Sequence, residues 1–555
     1  MCTRVLFIFL LCAFVQGNDS NTKIVKLRQG SIRGYKDPDG DLFTFYGIPY
    51  AKAPTGQYRY MAPLPAPIWL ETLDAVDKGV ICPQNDPLNI MPKTLLMQED
   101  CLIANIFVPD TKEKNLPVVV YVHGGAYILG YGNFGMYKNL VKSKKMIVVT
   151  FNYRLGAHGF LCLGTENIPG NAGMKDQVAL LRWVNQNIAS FGGNPDDVTI
   201  AGYSAGSSSV DLLMLSKTTD GLFNKVIPES GANTAPFSIQ TNPIENAKEY
   251  AKLINFTNVD DINALEEFYK TVPYEILASA DVMTRFDTTF LVSPCLERIT
   301  DEEPFLTESP VSILKSGNYK KLPMLYGFAN MEGLFRADMF DQWKEVMNNN
   351  FAVFLPADLQ FKDEEEKNLV AKKVKEFYFG DGPIGDDSIL DYVNFFTDTI
   401  FAYPTLRSVR LHVEAGNKKI YLYEYSFVFE DIPFVPHTNI RGANHCAQST
   451  AVMDGIGMAQ LEESSLPQNY QDMKQLVRQI WANFITTGQP VPDGSDLPAW
   501  PAVGKDWSPH MVLDQPLQLK GSLLKERAIF WEEIYDTYYL EPIPPSSPIL
   551  KHSEL

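Results

Sequence analysis

Short, nearly unbroken apolar runs punctuate the chain at Leu116 to Val122 and at Met146 to Tyr153. Runs of that length without polar alternation predict strands covered on both faces. Asp197-Val198-Thr199-Ile200-Ala201 reads as another, and further strands are predicted at Lys225–Glu229, Leu322–Phe328 and Ile420–Phe429. Between them the pattern changes period. From Asp176 to Phe191 the residues Val178, Leu181, Val184 and Ile188 recur on one helical face, and Gly192-Gly193 stops the run. Helices are also predicted at Ser207–Leu215, Tyr470–Thr486 and Glu526–Tyr539, and a charged surface helix at Leu359–Phe379. Ahead of all this, Ile24 to Tyr50 alternates apolar and polar residues around Gly34 and Gly47, the pattern of a β-meander. Buried strands alternating with helices predict an α/β fold with a large, mostly parallel central sheet flanked by helices. No repeat, low-complexity tract or long linker divides it, so residues 18–555 read as one domain with large insertions.

The ends of the chain carry addressing signals. Met1 to Arg4 is a short basic segment, Val5 to Val15 an apolar run, and a small residue follows at Gly17. That is the pattern of a signal peptide over residues 1–17, too short to span a bilayer. Asn18-Asp19-Ser20 and Asn255-Phe256-Thr257 are glycosylation sequons, placing Asn18 and Asn255 on the surface. His552-Ser553-Glu554-Leu555 resembles an ER-retrieval tetrapeptide, implying a retrieval receptor and either an ER-lumenal or a secreted protein. A net charge of −18 argues against nucleic acid and against anionic membranes as partners.

Beyond the leader stand five cysteines: Cys82, Cys101, Cys162, Cys295 and Cys446. An odd count leaves at least one free within a chain. Cys82 and Cys101 flank a proline-broken loop. A bridge between them would contribute roughly 3 kcal/mol by restricting the unfolded chain.

The chemistry is concentrated in Gly202-Tyr203-Ser204-Ala205-Gly206, between a predicted strand and a predicted helix. In that context G-x-S-x-G forms a nucleophile elbow, a sharp turn that presents the serine hydroxyl above the sheet. Serine attacks only when a histidine takes its proton and a carboxylate orients the histidine. Later in the chain, His437 and His445 both lie in the loop after the predicted 420–429 strand, and position alone leaves the choice open. Glu332 follows another predicted strand and is a candidate acid. His123-Gly124-Gly125-Ala126 ends a third. Its free backbone N–H groups, with that of Ala205, are suited to an oxyanion hole, where one donor is typically worth about 2.7–4 kcal/mol.

Along nearly the whole chain beyond the leader the sequence resembles the type-B carboxylesterase/cholinesterase family, nearest to insect carboxylesterases. The resemblance rests on Tyr46-Gly47-Ile48-Pro49-Tyr50-Ala51, Glu99-Asp100-Cys101-Leu102, His123-Gly124-Gly125-Ala126, Asn152-Tyr153-Arg154-Leu155-Gly156 and Phe191-Gly192-Gly193-Asn194-Pro195. Gly202–Gly206, Glu332-Gly333 and Gly442-Ala443-Asn444-His445 complete it. It implies an α/β-hydrolase fold, a Ser204–Glu332–His445 triad, and an oxyanion hole from Gly125, Ala126 and Ala205, with Gly124 shaping the turn. It also implies a Cys82–Cys101 disulfide and ion pairs Arg59–Glu99 and Arg154–Asp176. For the family's second disulfide no cysteine pair is evident. Ser230 is expected to contact His445, while Phe395, Phe396 and Phe401 lie where relatives line the acyl side of the gorge.

Three positions depart from the pattern. Tyr203 stands where many members carry Glu, or Gln in juvenile hormone esterases. Gln448 replaces an acid of that hormone-specific group, and Glu229 replaces a usual Gln. The first two argue against juvenile hormone as the dedicated substrate. The expectation is a broad-specificity serine carboxylesterase acting on carboxylic esters through an acyl-enzyme, with no cofactor and no metal. The alternatives are a narrow hormone or pheromone esterase, or a non-catalytic cholinesterase-like binding protein. The last would have lost a triad or oxyanion residue, and here all are present.

Overall fold

The computed structural model describes residues 21–38, 40–86, 91–280, 285–455 and 462–546. The signal peptide, Asn18 and the C-terminal tetrapeptide lie outside them. Within the described residues one sheet has thirteen strands. In chain order they are β1 (Thr22–Lys26), β2 (Ser31–Lys36), β3 (Leu42–Pro49), β4 (Leu73–Asp74), β5 (Ile103–Pro109) and β6 (Leu116–Val122). There follow β7 (Ile147–Phe151), β8 (Gly193–Tyr203), β9 (Lys225–Glu229), β10 (Met324–Ala329), β11 (Ile420–Tyr425), β12 (His510–Leu513) and β13 (Gln518–Lys520). The spatial order is β1-β2-β3-β5-β7-β6-β8-β9-β10-β11-β12-β13, with β4 beside β2.

From β7 across to β12 every neighbouring pair is parallel. The antiparallel meander β1-β2-β3-β5 extends one edge and β13 the other. The apolar runs explain the division. All of Val118 to Val122 and all of β7 are buried, because helices cover both faces of a parallel sheet. In β1 and β2 buried positions are interspersed with partly exposed ones.

The principal helices are α1 (Ala172–Asn187), α2 (Ala205–Leu213), α3 (Glu364–Phe379), α4 (Ile389–Phe396), α5 (Tyr403–Glu414), α6 (Ala447–Val452), α7 (Gln468–Thr487) and α8 (Lys525–Tyr538). The charged α3 is capped by Asp363, whose side chain accepts from the Glu366 N–H at 2.9 Å. Three glutamates fill its first turn, where they complement the helix dipole.

Two buried charges pin loops to this frame. Arg154 is 2% exposed and meets Asp176 of α1 through Nε at 2.8 Å and Nη2 at 2.6 Å. Its remaining N–H groups donate to the carbonyls of Arg59, Met61 and Ala172, which fully satisfies the guanidinium. The Nε of Arg59 lies 2.8 Å from Glu99, an ion pair without hydrogen-bond alignment. Cys82 and Cys101 are bonded, as expected. The expectation of no second pair is overturned: Cys162 is bonded to Cys295. These two are separated by 133 residues, and only the fold brings their α-carbons to 6.6 Å. Cys446 is free and buried.

Candidate active site

Ser204 follows β8 directly and is the residue from which α2 departs. Its φ of 55° lies in a region that L-residues other than Asn and Asp rarely enter. The neighbouring chain leaves no alternative to glycine at 206. A β-carbon there would sit 2.2 Å from the Val122 carbonyl oxygen. The turn therefore presses against the end of β6, in register with β8 from Val118–Val198 to Val122–Gly202.

The segment beyond Val122 makes the second turn. Gly125 has a φ of 111°, and its carbonyl accepts from both Ile128 N–H and Leu129 N–H, at 2.9 and 3.0 Å. His123 braces this loop. Its ring stacks on Tyr153 with centroids 4.4 Å apart, and Nδ1 lies 2.8 Å from the Gly124 carbonyl. Burial pushes its pKa down to about 4, so the neutral imidazole donates through Nδ1–H and holds that carbonyl aside. The N–H of Ala205, at the first position of α2, has no acceptor within its own helix. Gly124, Gly125, Ala126 and Ala205 thus lie at the carboxyl ends of two adjacent strands. This bracing role of His123 was not expected from sequence, where the residue figured only as part of a motif.

His445 arrives from the loop after β11. Its Nε2 lies 2.9 Å from Ser204 Oγ and its Nδ1 2.5 Å from Glu332 Oε2. Glu332 stands just after β10, fully buried, and its other oxygen accepts from the Ala329 N–H at 2.7 Å. Because a carboxylate only accepts, the ring's proton sits on Nδ1 and its Nε2 lone pair faces the serine. His437 is elsewhere. It is exposed, beside Asp341 and Asp386. Those two carboxylates and His437 could approach one cation, but Lys344 already meets both acids, at 2.7 and 2.5 Å.

Ser230 does not contact His445 as expected. Its hydroxyl donates to Glu332 Oε1 and accepts from Gln448 Nε2 at 2.5 Å, so it reaches His445 only through Glu332. Among the three phenylalanines, Phe401 alone joins the site, stacking on the His445 ring at 4.2 Å and 28°. Phe395 and Phe396 are buried in a cluster with Phe351, Phe354, Trp343 and Tyr392. They are core and close the helix Ile389–Phe396, whereas Phe401 sits on the π-helical turn Thr397–Ala402 that follows. Phe335, not anticipated from sequence, flanks the imidazole at 5.4 Å and is 38% exposed. Cys446 Sγ lies 3.3 Å from His445 Nε2, and burial pushes its pKa well up, so the neighbour of this imidazole is a neutral thiol. Asn255 is exposed.

A serine on a strained strand-to-helix turn, with a histidine and a buried carboxylate aligned behind it on a mostly parallel sheet, defines an α/β-hydrolase. A profile of the Carboxylesterase family matches residues 21–531, and the chain belongs to that family. It is 33% identical over 523 residues to a juvenile hormone esterase of Heliothis virescens, covering 89% of this chain and 91% of that one. It is 32% identical to a carboxylic ester hydrolase of Bombus ignitus, covering 87% and 88%. The crystal structure of juvenile hormone esterase from Manduca sexta, with OTFP covalently attached, superposes with a TM-score of 0.82. That pair shares 30% identity over 93% of this chain and 100% of the other. The protein is a carboxylic ester hydrolase acting on small-molecule esters. Its two disulfides fit folding in the secretory pathway, and no helix among the described residues is long and apolar enough to cross a membrane.

Proposed function

We propose that Ser204, His445 and Glu332 are the nucleophile, general base and orienting acid of this esterase. One observation carries the reading: a single imidazole bridges the serine hydroxyl and a buried carboxylate. His445 Nε2 takes the Ser204 proton as Oγ bonds to the ester carbonyl carbon. Ionised Glu332 stabilises the resulting imidazolium, and the N–H groups of Gly125, Ala126 and Ala205 receive the oxyanion. The imidazolium then protonates the departing alcohol. Water, deprotonated by the same ring, releases the acid from the serine.

The substrate range is broad and favours uncharged esters. Tyr203 and Gln448 are neutral at positions where relatives carry Glu or another acid, and Phe335 and Phe401 flank the base with apolar rings. Residues 18–555 act as one catalytic unit, glycosylated at Asn18 and Asn255, and the C-terminal tetrapeptide returns the protein to the ER lumen. A burst assay with p-nitrophenyl acetate and butyrate tests the chemistry. Turnover by Ser204→Ala at the wild-type rate would exclude the triad. Deletion of Leu555 is expected to release protein into the medium, and unchanged distribution would exclude retrieval.

A further inference from the structure

We propose that Glu229 is a positioning residue for His445, gripping through Ser449 the helix that begins just after the base. The proposal rests on His445 being the base. Glu229 ends β9 and is 1% exposed. Each of its carboxyl oxygens accepts one hydroxyl: Tyr423 of β11 at 2.9 Å and Ser449 of α6 at 2.7 Å. The next residue, Ser230, accepts from Gln448 Nε2 at 2.5 Å. Two consecutive residues at a strand end therefore hold two consecutive residues of α6, three and four positions past His445.

The direction of the imidazole depends on that hold. Between His445 and α6 stands Cys446, in the left-handed region with a φ of 64°. Such a bend breaks the helical ladder, so the ring is aimed by wherever α6 is fastened. The far end of α6 is fastened separately. Lys474 Nζ donates to the carbonyls of Thr450, Met453 and Gly455 at 2.7–2.9 Å, and Arg478 Nε to that of Val452 at 2.9 Å. The end nearer the base relies on Glu229 and Ser230.

A carboxyl group makes this grip sensitive to protons. Ionised, it accepts from both hydroxyls. Protonated, one oxygen becomes a donor, so the bond at that end must reverse, its hydroxyl turning to accept. The titratable groups facing Glu229 are Tyr121, Tyr137, Tyr423, Cys446 and Glu332. None is a cation. Burial pushes its pKa up to about 7, against the hydrogen bonds from Ser449 and Tyr423.

The test compares wild type with E229Q, which keeps the shape but neither titrates nor accepts at both ends, and with S449A. Both should lower kcat about tenfold, with KM unchanged, since a small misplacement of a base costs about that much or more. In wild type, protonation of Glu229 as pH is lowered through about 7 should add a fall in kcat of up to about tenfold. In E229Q that added fall should be absent. The double variant should be no slower than the slower single. Wild-type kcat and an unchanged pH profile in E229Q, or multiplying losses in the double variant, would overturn the proposal. Should E229Q fail to fold, a wild-type kcat in S449A would do the same. A fluorophosphonate probe keeps the two readings apart. E229Q should still be labelled, more slowly, whereas labelling of Ser204→Ala would reject the triad itself.

Discussion

Phe401 lies nearly parallel to the imidazole of His445, with centroids 4.2 Å apart. The ring is 3% exposed and rises from a π-helical turn, so it forms a rigid wall against which the imidazole rests. Truncation to alanine would leave a cavity typically costing about 3–5 kcal/mol. Phe401→Leu removes the flat face with less lost volume. We expect kcat to fall about tenfold with the serine still open to a fluorophosphonate, because orientation is impaired and the nucleophile is intact. Steady-state kinetics beside probe labelling checks this.

Single replacements Ser204→Ala, His445→Ala and Glu332→Gln should each be severe, and they should not multiply. Groups acting as one unit lose most of their effect when any member goes. Glu332→Gln keeps the shape but removes the charge that holds the Nδ1 proton. A loss of about 10³–10⁴-fold in kcat is expected, and the triple variant should be about as slow as Ser204→Ala.

Gly206→Ala places its β-carbon 2.2 Å from the Val122 carbonyl oxygen, so either the elbow or β6 must shift. Overpacking of this kind typically costs about 1–3 kcal/mol. Because that elbow carries Ser204, activity should fall further than stability. Chemical denaturation and the burst amplitude measure the two effects on one sample.

Asp176→Asn leaves Arg154 buried without its counter-charge. A loss of about 3–5 kcal/mol is expected, the usual result of breaking one side of a buried pair. The comparison with Arg33→Ala is informative. Arg33 meets Asp74 at 2.7 Å, but its side chain is 36% exposed, and its loss should lie within about 1 kcal/mol. Urea unfolding of both variants is the measurement.

Acid should destabilise the fold through two buried neutral histidines. Burial lowers the pKa of His158 to about 3, with Arg59 and Arg154 adding to the effect, and burial lowers that of His123 to about 4. Both values lie below that of an unfolded histidine. The unfolded chain therefore binds more protons than the folded one between pH 6.5 and these values, and stability falls as pH is lowered through that window. One pKa unit corresponds to about 1.4 kcal/mol, so the combined loss by pH 4 is on the order of several kcal/mol. Unfolding free energies at pH 7.5, 6 and 5 should decline more steeply in wild type than in His158→Asn.

What the sequence disclosed was local chemistry. The runs at 116–122 and 197–201 predict buried strands because a sheet covered on both faces excludes polar residues, and the strands lie there. The elbow was legible because its bend, its glycines and its serine are contiguous. His445 and His437 could not be separated by loop position. What separates them is distance in space, since one ring meets Ser204 and the other faces Asp341. Cys162 and Cys295 carry no local signature of their bond, and Ser230 none of its preference for Glu332. Phe395, Phe396 and Phe401 look alike in a row. Only Phe401 falls on the π-helical turn, and it is the one whose ring reaches the His445 imidazole.

The hydrogen bond from Ser204 to His445 joins residues 241 positions apart, and the one from His445 to Glu332 spans 113. A ribosome must therefore release most of the chain before the Ser204 hydroxyl can meet that imidazole. Until then the elbow has no imidazole beside it, so if Ser204 and His445 work together as proposed, any fragment ending before His445 should lack esterase activity.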